Sequence, residues 1–517
     1  MESAKPEVSI DYRSLQTCDI PAEDQTIHPF TLVIFGGAGD LSQRKLLPTL
    51  YHLYENKELI DEFSVIGVGR MALDDLSYRK LVGEALKKFS DEAVSDEAWI
   101  NFSRHIYFLS MDAREDGGYE ELRKKIDTVT VADRAGNKNI IFYMAVPPEL
   151  MPAIVRKLRD HGFSGERFAT KILAEKPFGR DRASAVRLNS LLLDTFNENQ
   201  IYRIDHYLAK ETVQNLIFFR FSNNIFEPLW NRRYIDNIQI TVAESIGIEH
   251  RGAFYEEAGV VRDIVQNHIM QIIAMVAMEP PVGFKADYVR DERSKVFHSF
   301  RPMDGSYIDA FTVRGQYGEG IVDGKKVPAY REEERVAGDS ITPTFMAARL
   351  YIDNWRWADV PFYVRTGKRM AQKLTKIVVQ YRQPPLRLFG RAGDILEPNI
   401  LTIAIQPEEE IAFRIGLKYP HEHNKIFSAE LKFNYGQIFK VKPQTAYERL
   451  LLDCMKGDQT LFAREDGIEA MWEIVDPIIE RWENNPHPNF PNYGAGTWGP
   501  DEADRLLEKQ GHRWHTL

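Results

Sequence analysis

A strand-and-helix alternation beginning at residue 30 constrains this chain more than any other feature. Phe30-Thr31-Leu32-Val33-Ile34-Phe35 is an unbroken apolar run closed by Gly36-Gly37, the pattern of a strand buried on both faces. Leu46, Leu47, Leu50 and Leu53 then recur at helical spacing. Further β-rich runs at 63–67, 106–110, 140–146 and 172–175 alternate with helical stretches as far as about Asp205. Repeated βα units of this kind predict a parallel sheet with right-handed crossovers and helices on both faces. The expectation for residues 29–204 is an α/β, Rossmann-type doubly wound domain.

After about Asn223 the pattern changes. Asn237-Ile238-Gln239-Ile240-Thr241-Val242 alternates polar with apolar residues, and the runs 376–381, 401–405 and 429–433 do so in whole or part. Strands in succession without helices of crossover length predict a mostly antiparallel sheet, solvated or covered unequally on its two faces. Residues 205–517 are thus expected to form a larger α+β domain for substrate binding and oligomerisation, with helices around 257–278 and 447–464. Residues 1–28 read as a polar tail, and the last thirty, rich in Pro, Asn, Gly and Trp, as an irregular one. A length of 517 residues exceeds what one core supports, which agrees with this division.

A net charge of −10 and a pI near 5.8 argue against a nucleic-acid partner, which needs a basic face. A few convergent cations still suffice for a small anion. Cys18 and Cys454 have no ligand-like spacing, which favours a reducing compartment over a disulfide or zinc framework. The apolar stretch near 264–278 is interrupted by Gln266, Asn267, His268 and Gln271, and is too short and polar to span a bilayer. No signal peptide is visible. The expected setting is the cytoplasm, with no membrane partner.

Two places carry nucleotide chemistry. The first strand runs into Gly36-Gly37-Ala38-Gly39-Asp40-Leu41, a G-x-x-G variant followed by Gln43, Arg44 and Lys45. Glycines admit a pyrophosphate close to the backbone, and the following helix start favours its charge. The second strand ends in Gly69-Arg70. An acidic residue there holds a free ribose 2′-hydroxyl, whereas Arg favours a 2′-phosphate. Arg70, with Arg44 as a second cation, leans toward NADP, while Asp74 keeps NAD as the weaker alternative. Ala145-Val146-Pro147-Pro148 and Glu175-Lys176-Pro177-Phe178-Gly179 lie on the same sheet edge by strand polarity. Lys176 there is either a charged loop residue or a group held over coenzyme and substrate.

Two polar concentrations carry the rest. Arg203-Ile204-Asp205-His206-Tyr207-Leu208-Ala209-Lys210-Glu211 places cations, carboxylates, an imidazole and a phenol where a strand meets a helix, the position at which open α/β sheets build their sites. In Arg262-Asp263-Ile264-Val265-Gln266-Asn267-His268, the residues Val261, Ile264 or Val265, His268 and Ile272 share one helical stripe. His268 therefore points inward. A single inward histidine is more often a hydrogen-bonded core residue, yet one oriented by a carboxylate is the usual general base toward a hydroxyl. No metal-ligand spacing is present.

These motifs, with Arg365-Thr366-Gly367-Lys368, Tyr447-Glu448-Arg449-Leu450-Leu451-Leu452-Asp453 and Gly494-Ala495-Gly496-Thr497-Trp498, resemble the glucose-6-phosphate dehydrogenase family from Phe30 to the tail. The nine-residue run at 203–211 is the most specific of them; Ala209 departs from it, since the family usually has Gly there. The resemblance implies oxidation of glucose 6-phosphate at C1 to the 1,5-lactone with NADP, the first step of the oxidative pentose phosphate pathway. It implies that His268 is the base and Asp205 its orienting partner. It matches His206, Tyr207 and Lys210 to phosphate binding, and Glu244 and Asp263 to the sugar hydroxyls. Lys176, Lys368 and Lys373 match basic positions that contact substrate, and Gly36, Gly37, Gly39, Asp40, Leu41, Arg70, Pro147 and Lys176 the coenzyme cleft. A homodimer or homotetramer is implied as well. The rivals are sugar dehydrogenases that share the Glu-Lys-Pro motif but need no phosphate ligands, and a nucleotide-sensing protein that has lost the chemistry yet would not need both Asp205 and His268.

Overall fold

The computed structural model describes residues 26–90, 92–165, 167–385, 397–421, 426–439, 444–485 and 488–515. The tail expected at 1–28, apart from 26–28, and Cys18 lie outside the described residues.

Strands β1 (Phe30–Phe35), β2 (Phe63–Gly69), β3 (Ile106–Ser110), β4 (Lys138–Met144), β5 (Phe168–Ala174) and β6 (Ile201–Arg203) form one sheet in the order β3-β2-β1-β4-β5-β6. Every pairing is parallel. This is the 3-2-1-4-5-6 order of a doubly wound sheet, whose crevice opens at the carboxyl ends where the order reverses, between β1 and β4. All six residues of β1 are buried, as its unbroken apolar run requires.

The remaining strands are β7 (Ile235–Ala243), β8 (Thr312–Gly315), β9 (Tyr317–Val322), β10 (Lys325–Val327), β11 (Phe345–Leu350), β12 (Phe362–Gly367), β13 (Leu374–Tyr381), β14 (Ile400–Gln406), β15 (Glu410–Lys418), β16 (Ile426–Asn434) and β17 (Tyr493–Ala495). Eight of them form a sheet in the order β16-β15-β14-β13-β7-β12-β11-β8, antiparallel except where β12 runs parallel to β7. A small sheet joins β10, β9 and β17.

Three expectations change. The last thirty residues are not an irregular tail. They supply β17 and a helix at Asp501–Glu508, and they cover the polar face of β7. Gln239 donates to Arg513 O at 2.9 Å and accepts from the His515 N–H at 2.9 Å. Arg365, in register beside Thr241, lies under the rings of Trp498 and Trp514 at 4.7 and 4.3 Å. The alternation in β7 therefore marks two buried faces, one of them polar and paid for by hydrogen bonds.

The helix expected at 447–464 spans Ala446–Lys456 and ends at Gly457, whose φ of +84° is a left-handed cap. A separate helix, Glu465–Asn484, follows and packs against helices Arg182–Leu193 and Ala286–His298. Its Trp472 donates to Phe178 O at 2.8 Å, tying it to the loop after β5. The helix expected at 257–278 is three segments. Gly252–Val260 breaks at Gly259, with φ 59° and ψ 179°, a conformation essentially confined to glycine. Val261–Ile269 is wound in wide π-type turns, and Met270–Ala277 returns to α geometry.

Candidate active site

The 203–211 run is a compact turn between β6 and the helix Glu211–Phe221. The Ile204 N–H reaches Ala174 O, carrying the pairing one residue past β6, and Leu208 N and Lys210 N then bond back to Asp205 O and Tyr207 O. This holds Asp205 buried against the wide-turn segment. His268 Nδ1 lies 2.6 Å from Asp205 Oδ1, which also accepts the Tyr207 N–H at 3.0 Å. Across the sequence, sixty-three positions separate this pair.

Lys176 comes from the loop after β5, where the Lys176–Pro177 bond is cis. Its amine stands 2.9 Å from His268 Nε2, 3.0 Å from Asp263 O and 3.8 Å from Asp263 Oδ1. Lys368, at the end of β12, is buried and bridges Glu244 and Asp263, the latter at 3.2 Å. Lys210 donates to Gln406 at 2.5 Å and lies over the Tyr207 ring at 4.3 Å, while Tyr207 stacks on the His268 ring at 4.2 Å. The His206 ring stands edge-on to the His268 ring at 4.5 Å. Nine predicted side chains thus fall into one connected cluster, and the tenth stands apart. Lys373 is exposed and reaches the cluster as a charge felt by Lys210.

Electrostatics sort the roles. Burial and the Lys176 charge lower the His268 pKa, against the pull of Asp205, so the imidazole is neutral. Asp205 is held as a carboxylate: burial opposes this, but His268 and the Tyr207 N–H outweigh it. Burial and the neighbouring His268 bring His206 down to about 3, so it offers a neutral N–H rather than a cation. Burial and Lys373 bring Lys210 down to about 8. Asp263 sits at about 2, because Lys368 and Lys176 overcome its burial.

Asp205, His206 and His268 also place potential metal-ligating atoms within 4.8 Å of one another. The hydrogen bond between Asp205 and His268 and the Lys176 amine on Nε2 account for that proximity. An ammonium in that place opposes a second cation. Asp263 and Asn267 do not pair with each other: Asp263 faces the two lysines, and Asn267 bonds within its own segment.

At the other end of the crevice, Gly36 takes φ +86°, and a Cβ there would stand 2.1 Å from Ala145 O; one on Gly37 would stand 2.4 Å from the Gly67 Cα. The glycine turn is thus pressed against β2 and the chain just after β4, where a side chain on either glycine would not fit. Gly39 N bonds to Gly36 O at 2.8 Å, closing the turn. Leu41 is half-buried beside it. Asp40 is exposed and pairs with Arg44 at 2.6 Å, and Arg70 and Pro147 are exposed on the same rim. Asp74 caps the helix Asp75–Phe89 by accepting the Ser77 N–H at 2.8 Å. A glycine turn between a strand and a helix start at this sheet edge fits a dinucleotide pyrophosphate.

Other side chains support the cluster. Glu175, half-buried, accepts from Tyr143 at 2.6 Å and Tyr447 at 3.2 Å, which anchors the loop that carries Lys176. Gln406 in β14 and Thr375 in β13 bond to each other, and Gln406 holds Lys210. Tyr447 stood in a recognisable run, but Gln406 and Thr375 are found only when the strands are in place. Ala209 is buried with φ outside the positive region, so its methyl group is accommodated.

A parallel dinucleotide sheet, a large antiparallel sheet and a carboxylate–imidazole pair between them define a nicotinamide-dependent oxidoreductase. The family description "Glucose-6-phosphate dehydrogenase, NAD binding domain" matches residues 33–215, and "Glucose-6-phosphate dehydrogenase, C-terminal domain" matches residues 217–515. The chain belongs to the glucose-6-phosphate dehydrogenase family. It is 45% identical over 484 residues to the glucose-6-phosphate 1-dehydrogenase of Aggregatibacter actinomycetemcomitans, covering 93% of this chain and 96% of that one. To that of Rhizobium meliloti (strain 1021) it is 42% identical over 491 residues, covering 95% and 98%. Among solved structures, a glucose-6-phosphate dehydrogenase in complex with its substrate glucose-6-phosphate aligns at TM-score 0.86 and 33% identity, over 95% of this chain and 99% of that one. The glucose-6-phosphate 1-dehydrogenase of Mycobacterium avium aligns at TM-score 0.79 and 35% identity, over 94% and 99%.

Proposed function

We propose that this chain oxidises glucose 6-phosphate at C1 to 6-phosphoglucono-1,5-lactone, with NADP as its preferred acceptor. The observation that carries the proposal is the buried 2.6 Å bond from His268 Nδ1 to Asp205, which commits Nδ1–H and leaves Nε2 as the basic atom. Nε2 takes the proton of the C1 hydroxyl. Asp205 holds the ring in that tautomer and stabilises the imidazolium that forms. Lys176, now on Nε2, shifts its bonds toward the substrate as the sugar enters.

Lys210, Tyr207 and His206 hold the phosphate as one cation and two neutral donors, with charge-assisted bonding concentrated on Lys210. Glu244 and Asp263 accept from sugar hydroxyls, with Lys368 fixing both carboxylates. Gly36, Gly37, Gly39, Asp40, Leu41 and Pro147 line the coenzyme cradle, and Arg70 reads the 2′-phosphate. Bound there, the nicotinamide supplies the two-electron acceptor for the hydrogen on C1. The balance is one alcohol and one oxidised coenzyme giving one lactone, one reduced coenzyme and one proton.

We further place the division between the two domains at residues 204–205, and self-association on the free face of the large sheet. Phe427, Leu431 and Phe433 of β16 stand exposed there beside Leu417 of β15. Their exposure fits a homodimer, from which a tetramer can be built. Among the described residues no helix is long and apolar enough to cross a membrane, and the buried, unpaired Cys454 suits a reducing cytoplasm.

The test is initial rates with purified protein, glucose 6-phosphate and either NADP or NAD, followed by the near-ultraviolet absorbance of reduced coenzyme. The proposal expects reduction with NADP at lower KM than with NAD, and none with unphosphorylated glucose at matched concentration. Equal rates with free glucose would overturn the phosphate assignment.

A further inference from the structure

The segment Val261–Ile269 carries both Asp263 and His268, five residues apart. In an α-helix of 3.6 residues per turn, such a pair points about 140° apart. Wide turns with i→i+5 bonding narrow that angle and bring residues five apart onto the same side. The Met270 N–H indeed reaches back to Val265 O.

The side chain of Asn267 is inserted into this ladder. Its Nδ2 donates to Arg262 O at 3.1 Å, and its Oδ1 accepts the His268 N–H at 2.6 Å. Side chains that enter the main-chain ladder are an identified cause of altered helical winding. In an α-helix Asp263 O would accept from the N–H four residues on, that of Asn267; here it accepts from Lys176 at 3.0 Å. The winding therefore offers Lys176 a carbonyl, a carboxylate and the basic imidazole nitrogen together.

We propose that Asn267 is a positioning residue of this site: its carboxamide holds the wide turn that sets the Asp263 carboxylate and the His268 imidazole against the same Lys176 amine. This rests on His268 being the base, and extends it to the residue that aims the base.

Asn267→Ala removes both bonds. It is expected to lower kcat about 10- to 100-fold, the scale of an ångström-sized misplacement of a reacting group. The KM for glucose 6-phosphate should move by less than about threefold, because the 206–210 turn is untouched. Asn267→Asp keeps the shape and the acceptor for the His268 N–H, but sets an oxygen against Arg262 O and a negative charge beside His268. It is expected to lower kcat and to move the acidic limb of kcat/KM to higher pH, since a carboxylate favours the charged imidazole and the neutral form is the base.

The groups facing His268 are Asp205, His206 and Tyr207 from the turn after β6, Lys176 from the loop after β5, and Asp263 on its own segment. The helix Glu465–Asn484 presents Glu483 to Arg262, at the first turn of the segment. A role confined to stability would lower the melting temperature and leave the pH limb in place.

Turnover per folded enzyme within about twofold of wild type in both variants, with an unmoved limb, overturns the proposal. If Asn267→Ala yields no folded protein, the limb of Asn267→Asp decides alone. His268→Asn is measured in parallel. Its retained activity would refute the base assignment, whereas its collapse beside wild-type Asn267 variants would refute only the role of Asn267.

Discussion

At the end of the crevice proposed to hold the sugar phosphate, Asp205, His268, Asp263 and Lys368 are buried and bonded to partners. At the end proposed to hold the coenzyme, Asp40, Arg44, Arg70 and Pro147 stand exposed around a glycine turn packed against β2 and the chain after β4. The first arrangement suits proton transfer, because dipoles and charges aimed in advance need no reorganisation when the reaction occurs. The second suits recognition of a soluble, highly charged partner that must leave after each turnover. Its shape is set by glycines in contact with β2 and the chain after β4, and its charge by exposed side chains.

Substitutions at the two ends should therefore fail differently. The largest effect is expected for Asp205→Asn, which leaves His268 without its fixed tautomer. We expect kcat to fall about 10²–10⁴-fold, the span of a lost general base, with substrate affinity changed far less; steady-state kinetics beside a binding titration checks this. Lys210→Ala removes the one charge-assisted donor of the phosphate set, worth about 1.5–3 kcal/mol, so KM for glucose 6-phosphate should rise about 10- to 100-fold.

At the exposed rim the effect is smaller and selective. Arg70→Ala should raise KM for NADP about tenfold and leave that for NAD within about twofold, since only one of them carries the 2′-phosphate. Equal changes would mean that Arg70 does not read it. The smallest effect is expected for Lys373→Ala. Removing a charge that depresses the Lys210 pKa should change KM for the sugar phosphate by less than about threefold.

The acidic limb of kcat/KM sharpens the comparison further. The base works when neutral, so activity is present above its pKa and lost as pH falls through it. Burial and Lys176 lower the His268 pKa from 6.5, and the limb should lie below that value. A limb above it would mean that Asp205 dominates the free enzyme.

Much of this was legible in sequence because it is local. The β1 run and its glycines, the turn at 203–211 and the inward stripe through His268 are each written within a dozen residues. What escaped depends on segments that meet only in the fold. The polar stripe of β7 looked solvated because the chain that covers it, Arg513 to His515, lies more than 270 positions away. Gln406 and Thr375 are ordinary strand residues until β13 and β14 pair beside Lys210. The winding at Val261–Ile269 depends on an asparagine whose carboxamide bonds at 3.1 and 2.6 Å no periodicity announces. The helix expected at 447–464 overruns Gly457, which marks its end, and helix Glu465–Asn484 was not among the expected elements.

The central claim is that the buried end performs the chemistry through His268. It is tested most directly by measuring, on one preparation of His268→Asn, the turnover with glucose 6-phosphate and NADP and the dissociation constant for glucose 6-phosphate. The account predicts turnover reduced at least about 100-fold with affinity within a small factor of wild type. Near-normal turnover in that variant would contradict it.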